Sequence, residues 1–305
     1  MAADGSTRAV LYALGANTGI AITKFAAAAY TGSGSMLAEG IHSLADCGNQ
    51  LLLLLGMKRA QRPATADHPL GHHRVVYFYS MMVAVLLFFV GGLFSVYEGV
   101  HRALHPGELH QPVVALAVLG VAIVLEAFSL WGAMKEIRKV QGGRSFMQWF
   151  RETRESVLMV IAGEDIAALG GLVLAFVAVA ASALTGNPLY DALGSVAIGA
   201  LLVVVAIAVM LEVKGMIVGE SAEPRLRAEI EAWIVARPEV DEVMRIVTLQ
   251  WGEKLVVSVQ AKMRWHDAIP ALIADINRVE DDLKRHFPQV GWTFFEPDVP
   301  HAQRA

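Results

Sequence analysis

Three ionisable residues, Glu39, His42 and Asp46, sit in the apolar stretch SGSMLAEGIHSLADCGNQLLLLLGM from Ser33 to Met57. Side chains three and four apart stack on one face of an α-helix, so His42 and Asp46 point the same way, with Glu39 one turn from His42. A second apolar stretch, VLMVIAGEDIAALGGLVLAF, carries Glu164 and Asp165. Ionisable groups at membrane depth are costly and mark cavities, pathways or binding sites. One imidazole and two carboxylates at about 2.0–2.2 Å suit Zn2+, and the same donors accept other divalent first-row metals. Metal requires neutral imidazole and ionised carboxylate, so protons compete for the same lone pairs. A site that takes one or the other and faces either side of a membrane exchanges metal for H+.

For that chemistry the two stretches must meet at one depth. Asp46 lies eleven residues before Met57, and Asp165 lies ten residues after Glu155. At about 1.5 Å per residue both are about 15 Å in, near the middle of a hydrocarbon core about 30 Å thick. Gly163, Ala167, Gly170 and Gly171 give the later helix a small-residue face on which another helix can approach closely. The plainer alternative is a buried His–Asp hydrogen bond that only locks the two helices together. Three ionisable positions at matched depth favour the metal site.

The elements that must position these residues follow from composition. The chain has 305 residues, 55% apolar and 18% charged, with a mean hydropathy of +0.48, as in a polytopic membrane protein. A net charge of −4 argues against nucleic acid as a partner, and the single cysteine, Cys47, excludes an intramolecular disulfide framework. The run from Ala9 to Tyr30 is too long for a signal-peptide core and is interrupted by Lys24, so it reads as a retained helix. Six spans are expected, over residues 8–30, 35–57, 75–100, 112–134, 156–184 and 190–213. The links after the second and fourth are rich in Lys and Arg, whereas those after the first, third and fifth contain only Arg102. The positive-inside rule then puts both termini in the cytoplasm. Short tails without a targeting signal point to a bacterial inner membrane.

From Glu220 the composition becomes that of a soluble domain. Helix, two strands, helix and strand are expected over residues 224–237, 240–251, 254–265, 270–287 and 290–296. The αββαβ order suggests a small ferredoxin-like α+β unit. Residues 1–219 thus form a six-helix transmembrane domain and residues 220–305 a cytosolic domain.

Several motifs carry a family resemblance. His42-Ser-Leu-Ala-Asp46, following Glu39-Gly-Ile, resembles the second-helix metal motif of the cation diffusion facilitator family. Asp67-His-Pro-Leu-Gly-His72-His-Arg74 is similar to that family's loop before helix three, Pro188-Leu-Tyr-Asp191 to the start of helix six, and Gly219-Glu220-Ser-Ala to the junction with its cytosolic domain. The resemblance runs from about residue 8 to 298. It implies a homodimeric transporter without enzymatic activity or prosthetic group, exporting a divalent metal, mostly zinc, from the cytosol by H+ antiport. The Glu164-Asp165 pair resembles that of the zinc transporter nine-like branch. Family members usually place a second ligand four residues before the position of Asp165, where this chain has Ile161. That leaves His42, Asp46 and Asp165, with Glu164 or water to complete the shell. An oxygen-rich set shifts preference toward manganese, iron or cobalt.

Other residues have secondary readings. Asp67, His68, His72 and His73 form a possible second metal site, of which His68 and His72 match positions that bind metal in some family members; the alternative is a solvated loop. Glu126, Asn49 and Glu39 are candidates for a proton path or for holding the ligands in place. Lys24, Glu98 and Asp191 lie near span ends, where side chains snorkel. In the C-terminal domain Glu296 and Asp298 fall where the resemblance places regulatory ligands, but Ser258 and Gln260 occupy the strand positions, so dimerisation is the better assignment. Two rivals remain. A paired-aspartate intramembrane hydrolase lacks its Gly-x-Gly-Asp context, since Asp165 follows Ala162-Gly-Glu. A membrane-anchored receptor or scaffold leaves the intramembrane charges unexplained.

Overall fold

The computed structural model describes residues 2–31, 34–105 and 112–299, excluding the side chains of residues 2–5, 27, 28, 30, 31, 34–42 and 45. The membrane region comprises α1 (Ala2–Thr31), α2 (Gly34–Ala60), α3 (Val75–Leu86), a π-helical segment (Leu87–Leu93), α4 (Phe94–Leu104), α5 (Pro112–Gln141), the short α6 (Phe146–Glu152), α7 (Ser156–Thr185) and α8 (Leu189–Val218). Among the described residues five helices are long and apolar enough to cross a membrane, within Ser6–Ala26, Val75–Leu104, Pro112–Gln141, Ser156–Thr185 and Leu189–Val218. Val124, Phe128, Val204 and Leu211 are more than half exposed, as befits helix faces that meet lipid. The helices overshoot the expected spans. Thirty-residue α5 is about 45 Å long, so Lys135, Arg138 and Lys139 ride on a helical extension instead of a link.

Local chemistry sets the boundaries. Gly186, in the left-handed region at φ 68°, ends α7, and Pro188 follows it at the start of α8. The Ser145 side chain accepts from the Gln148 amide to start α6. The π segment interrupts what reads in sequence as one third span; its Gly91 and Gly92 lie against Leu202 and Val203 of α8. Wider turns of this kind recur at functional positions in helices.

Below Asp165, on the side of the C-terminal domain, an apolar core closes the bundle. It contains Leu53 and Met57 of α2, Tyr77 of α3, Trp149 of α6, Val157 to Ala162 of α7, and Val213 and Met216 of α8. Ile161 belongs to this core and is fully buried.

The C-terminal domain consists of α9 (Pro224–Val235), β1 (Val240–Trp251), β2 (Lys254–Met263), α10 (Ile269–His286) and β3 (Val290–Pro297). β2 is central, antiparallel to β1 and parallel to β3. Strand alternation sends Leu255, Val257, Val259, Ala261 and Met263 into one core with Ile230, Ile234 and Leu283 of the helices. The opposite sheet face carries the cross-strand row Val247, Ser258 and Phe294, of which Val247 and Phe294 are exposed.

This domain is seated on the basic side of the membrane helices. At the β1–β2 turn, Gly252 adopts φ 66° and donates its amide to the Tyr77 hydroxyl at 3.0 Å. A Cβ there would collide with the His73 backbone, so glycine is required on both counts. Arg74 lies over the Trp251 ring at 4.7 Å and donates to the carbonyls of Met216 and Ile217 at the end of α8. Arg154 pairs with Glu220 at 3.0 Å, and buried Arg144 with Glu223 at 3.1 Å. At the same junction burial, then the charges of Glu253 and Glu223, push the Glu155 carboxyl up to about 7. The interface therefore gains negative charge as pH rises through neutrality.

Candidate metal centre

The candidate site lies where side chains of α2 reach α7, which packs against α5. Asp165 is 1% exposed. Its Oδ2 accepts from Ser129 Oγ of α5 at 3.0 Å, while its Oδ1 is buried with no hydrogen-bond partner. A buried carboxylate oxygen left without a donor is costly unless a cation or proton completes it. Asp46, half-buried, lines a cavity of about 430 Å3 between α2 and the π segment, together with Asn49, Leu52, Leu86, Val90 and Gly91. His42 and Glu39 stand on α2, one and two turns before Asp46, with side chains outside those described.

Glu164 is held differently from its neighbour. Asn49 Nδ2 donates to one of its oxygens at 3.1 Å and Gln50 Nε2 to the other at 2.7 Å. Both carboxylate oxygens are thus engaged by amides of α2. Asn49, a sequence candidate for holding the ligands in place, bonds across helices to Glu164, the neighbour of Asp165. Glu126 of α5 is 2% exposed, one turn from Ser129, and within electrostatic reach of Asp165, Glu164, Asp46 and Lys24. Lys24 is itself buried, at 5% exposure, and does not snorkel. Packing of α1 against α2 and α5 covers it, while Glu98 and Asp191 are tied by Arg102 at 2.8 and 3.3 Å. Cys47 packs at the core with its sulfur 3.7 Å from the Thr18 hydroxyl. Sequence reading missed Ser129 and Gln50; the signal for Gln50 was its position four residues after Asp46.

The loop histidines do not share a focus. The His68 and His72 rings lie 4.3 Å apart, tilted by 31°, beside exposed Asp67. His73 turns away to meet Trp292 edge-on at 5.9 Å, where burial holds its imidazole below the usual histidine range. Among the described residues no three His, Cys, Asp or Glu side chains are arranged to hold a metal ion. In the C-terminal domain Asp298 accepts from Gln260 at 2.8 Å, His266 pairs with Asp275 at 2.9 Å, and His286 stacks on Trp233.

The cation efflux transmembrane domain family matches residues 10–218. The chain is 34% identical to the mitochondrial proton-coupled zinc antiporter SLC30A9 of Xenopus laevis, over 88% of this chain and 55% of the relative. It is 31% identical to the SLC30A9 protein of Homo sapiens, over 94% and 57% respectively. Metal tolerance protein C4 of Arabidopsis thaliana is 30% identical over 72% of this chain and 48% of that protein. The chain thus spans about half the length of these relatives. They overturn the expectation of a bacterial inner membrane, since the SLC30A9 relatives are mitochondrial proteins of vertebrates. That expectation rested on tail length, which says nothing when relatives are nearly twice as long. With the family matched over most of its length and relatives that are transporters, the chain belongs to the cation efflux, or cation diffusion facilitator, family of metal transporters.

Proposed function

We propose that the protein is a secondary transporter that exports a divalent cation, zinc foremost, from the compartment holding its C-terminal domain in exchange for protons. The cation is the substrate, held by His42, Asp46 and Asp165 between α2 and α7. The observation that carries this reading is Asp165, a fully buried carboxylate with one oxygen unpartnered at membrane depth. The zinc and proton coupling named for the SLC30A9 relatives supports it. Glu164, with both oxygens occupied by Asn49 and Gln50, braces α7 against α2 and stays outside the coordination shell. Glu126, at the same depth, relays protons, and Glu39 lies on the path to the opposite face.

The architecture we infer is six spans, with α2 as the sixth, over residues 1–219, and a ferredoxin-like domain over residues 220–305. The order α9-β1-β2-α10-β3 supports the latter. The uncovered sheet face with Val247 and Phe294 is the surface on which two copies pair as a homodimer.

The test is uptake into proteoliposomes across a panel of Zn2+, Mn2+, Fe2+ and Co2+, with a pH gradient imposed. The wild type is expected to take up zinc fastest, and Asp46→Ala to abolish uptake of every ion. Equal transport by the two proteins would overturn the assignment, and the ion with the largest flux identifies the substrate.

A further inference from the structure

We propose that Gln50 is a ligand of the transported cation, supplying through its side-chain carbonyl the protein donor that α7 lacks at Ile161. This deepens, and rests on, the reading of Asp46 and Asp165 as the transport site. Gln50 follows Asp46 by four residues and His42 by eight, so the three occupy one stripe of α2. It is 0% exposed, in a run that continues as five leucines. A buried amide in such surroundings is expected to have both ends satisfied.

Only one end is. Nε2 donates to Glu164 Oε2 at 2.7 Å. Oε1 is left buried without a partner. Among the described residues the membrane helices hold two buried acceptor oxygens with no partner, Gln50 Oε1 on α2 and Asp165 Oδ1 on α7. Glu164, next to Asp165 in sequence, is the residue through which Gln50 is anchored to α7. Two orphaned oxygens on helices joined through Glu164 call for a common electrophile, and a divalent cation would satisfy both.

A neutral carbonyl donor has chemical consequences. It adds a hard oxygen to the shell without adding charge, leaving Asp46 and Asp165 as the charged carboxylate ligands. An amide does not titrate, so Gln50 contributes affinity but no exchanged proton. Ile161, one turn closer to the C-terminal domain, is then free to pack in the apolar core, where it is found.

The test compares wild type, Gln50→Ala, Gln50→Leu, Gln50→Cys and Asn49→Ala in proteoliposomes, with Zn2+, Mn2+ and Cd2+ as probes. Gln50→Ala is expected to raise the zinc KM by about tenfold or more, on the scale of losing a group at a metal site. Gln50→Leu, which refills the volume, gives the same result if the smaller residue fails to fold. Gln50→Cys places a soft sulfur at the cation and is expected to raise the Cd2+ to Mn2+ uptake ratio about tenfold above that of Gln50→Ala. Asn49→Ala removes the other donor to Glu164 and is expected to leave that ratio as in wild type. If Gln50→Cys and Gln50→Ala show the same ratio, or if Gln50→Leu keeps the wild-type zinc KM, Gln50 only braces Glu164 and the proposal falls. Asp46→Ala runs alongside. Its failure to lower uptake would instead dismiss the transport site itself.

Discussion

Asp165→Ala is expected to lower gradient-driven zinc uptake at least about 100-fold while leaving the protein folded. Loss of groups that merely orient a metal ligand costs about 10–100-fold, and a ligand in a three-residue set costs more. Folding is spared because the Asp165 carboxylate makes a single hydrogen bond, to Ser129, and leaves one oxygen unsatisfied. Removing such a group relieves a buried charge instead of breaking a network. Asp165→Asn keeps the shape and contact with Ser129 but removes the charge, and is expected to be as inactive as alanine. Uptake measured on equal amounts of reconstituted protein, with thermal melting as the folding control, checks both variants. Residual uptake above about a tenth of wild type would show that the carboxylate is not a ligand.

Gly199→Leu is expected to prevent stable folding of the membrane region. A Cβ at Gly199 would lie 2.6 Å from the Val96 amide nitrogen and 2.7 Å from the Gly92 carbonyl oxygen. From the other side, a Cβ at Gly99 would lie 2.7 Å from the Val196 amide nitrogen and 2.9 Å from the Ala192 carbonyl oxygen. Both obstacles are backbone and have no rotamer to change, so α4 and the π segment must separate from α8 along their length. Overpacking a core costs about 1–3 kcal/mol where side chains can yield, and this contact exceeds that range. Gly120→Leu, on α5 with no heavy atom within 4 Å of its Cβ, is the control and should shift stability by no more than about 0.5 kcal/mol. Melting temperature and the yield of monodisperse protein in detergent report the difference.

The depth argument from sequence singled out α2 and α7, two helices that Asn49, Gln50 and Glu164 join by hydrogen bonds. Asp46 and Asp165 can be aligned because helical rise is fixed and apolar runs declare their ends. The element order after Glu220 was legible for the same reason, through strand alternation and Pro224 at a helix start. What escaped were features that depend on partners distant in the chain. Gln50 carries no charge to flag it in an apolar run, and its orphaned oxygen exists only once Glu164 has claimed its nitrogen. His73 looked like one of a histidine cluster until Trp292, far along the chain, drew it away. The π segment reads as ordinary helix because a run such as LFFVGGL has no polar period to reveal an extra residue per turn. Lys24 looked like an end residue by counting, and packing of α1 against its neighbours buried it.

The central claim is that a divalent cation and protons exchange at the site formed by Asp46 and Asp165. Its most direct test records zinc uptake and luminal pH together in one population of proteoliposomes, starting from equal pH and an inward zinc gradient. Zinc entry is predicted to drive protons out, raising luminal pH in step with uptake, and both signals are predicted to vanish in Asp46→Ala. Zinc entry with no change in luminal pH, or a pH change that persists in Asp46→Ala, would contradict the account.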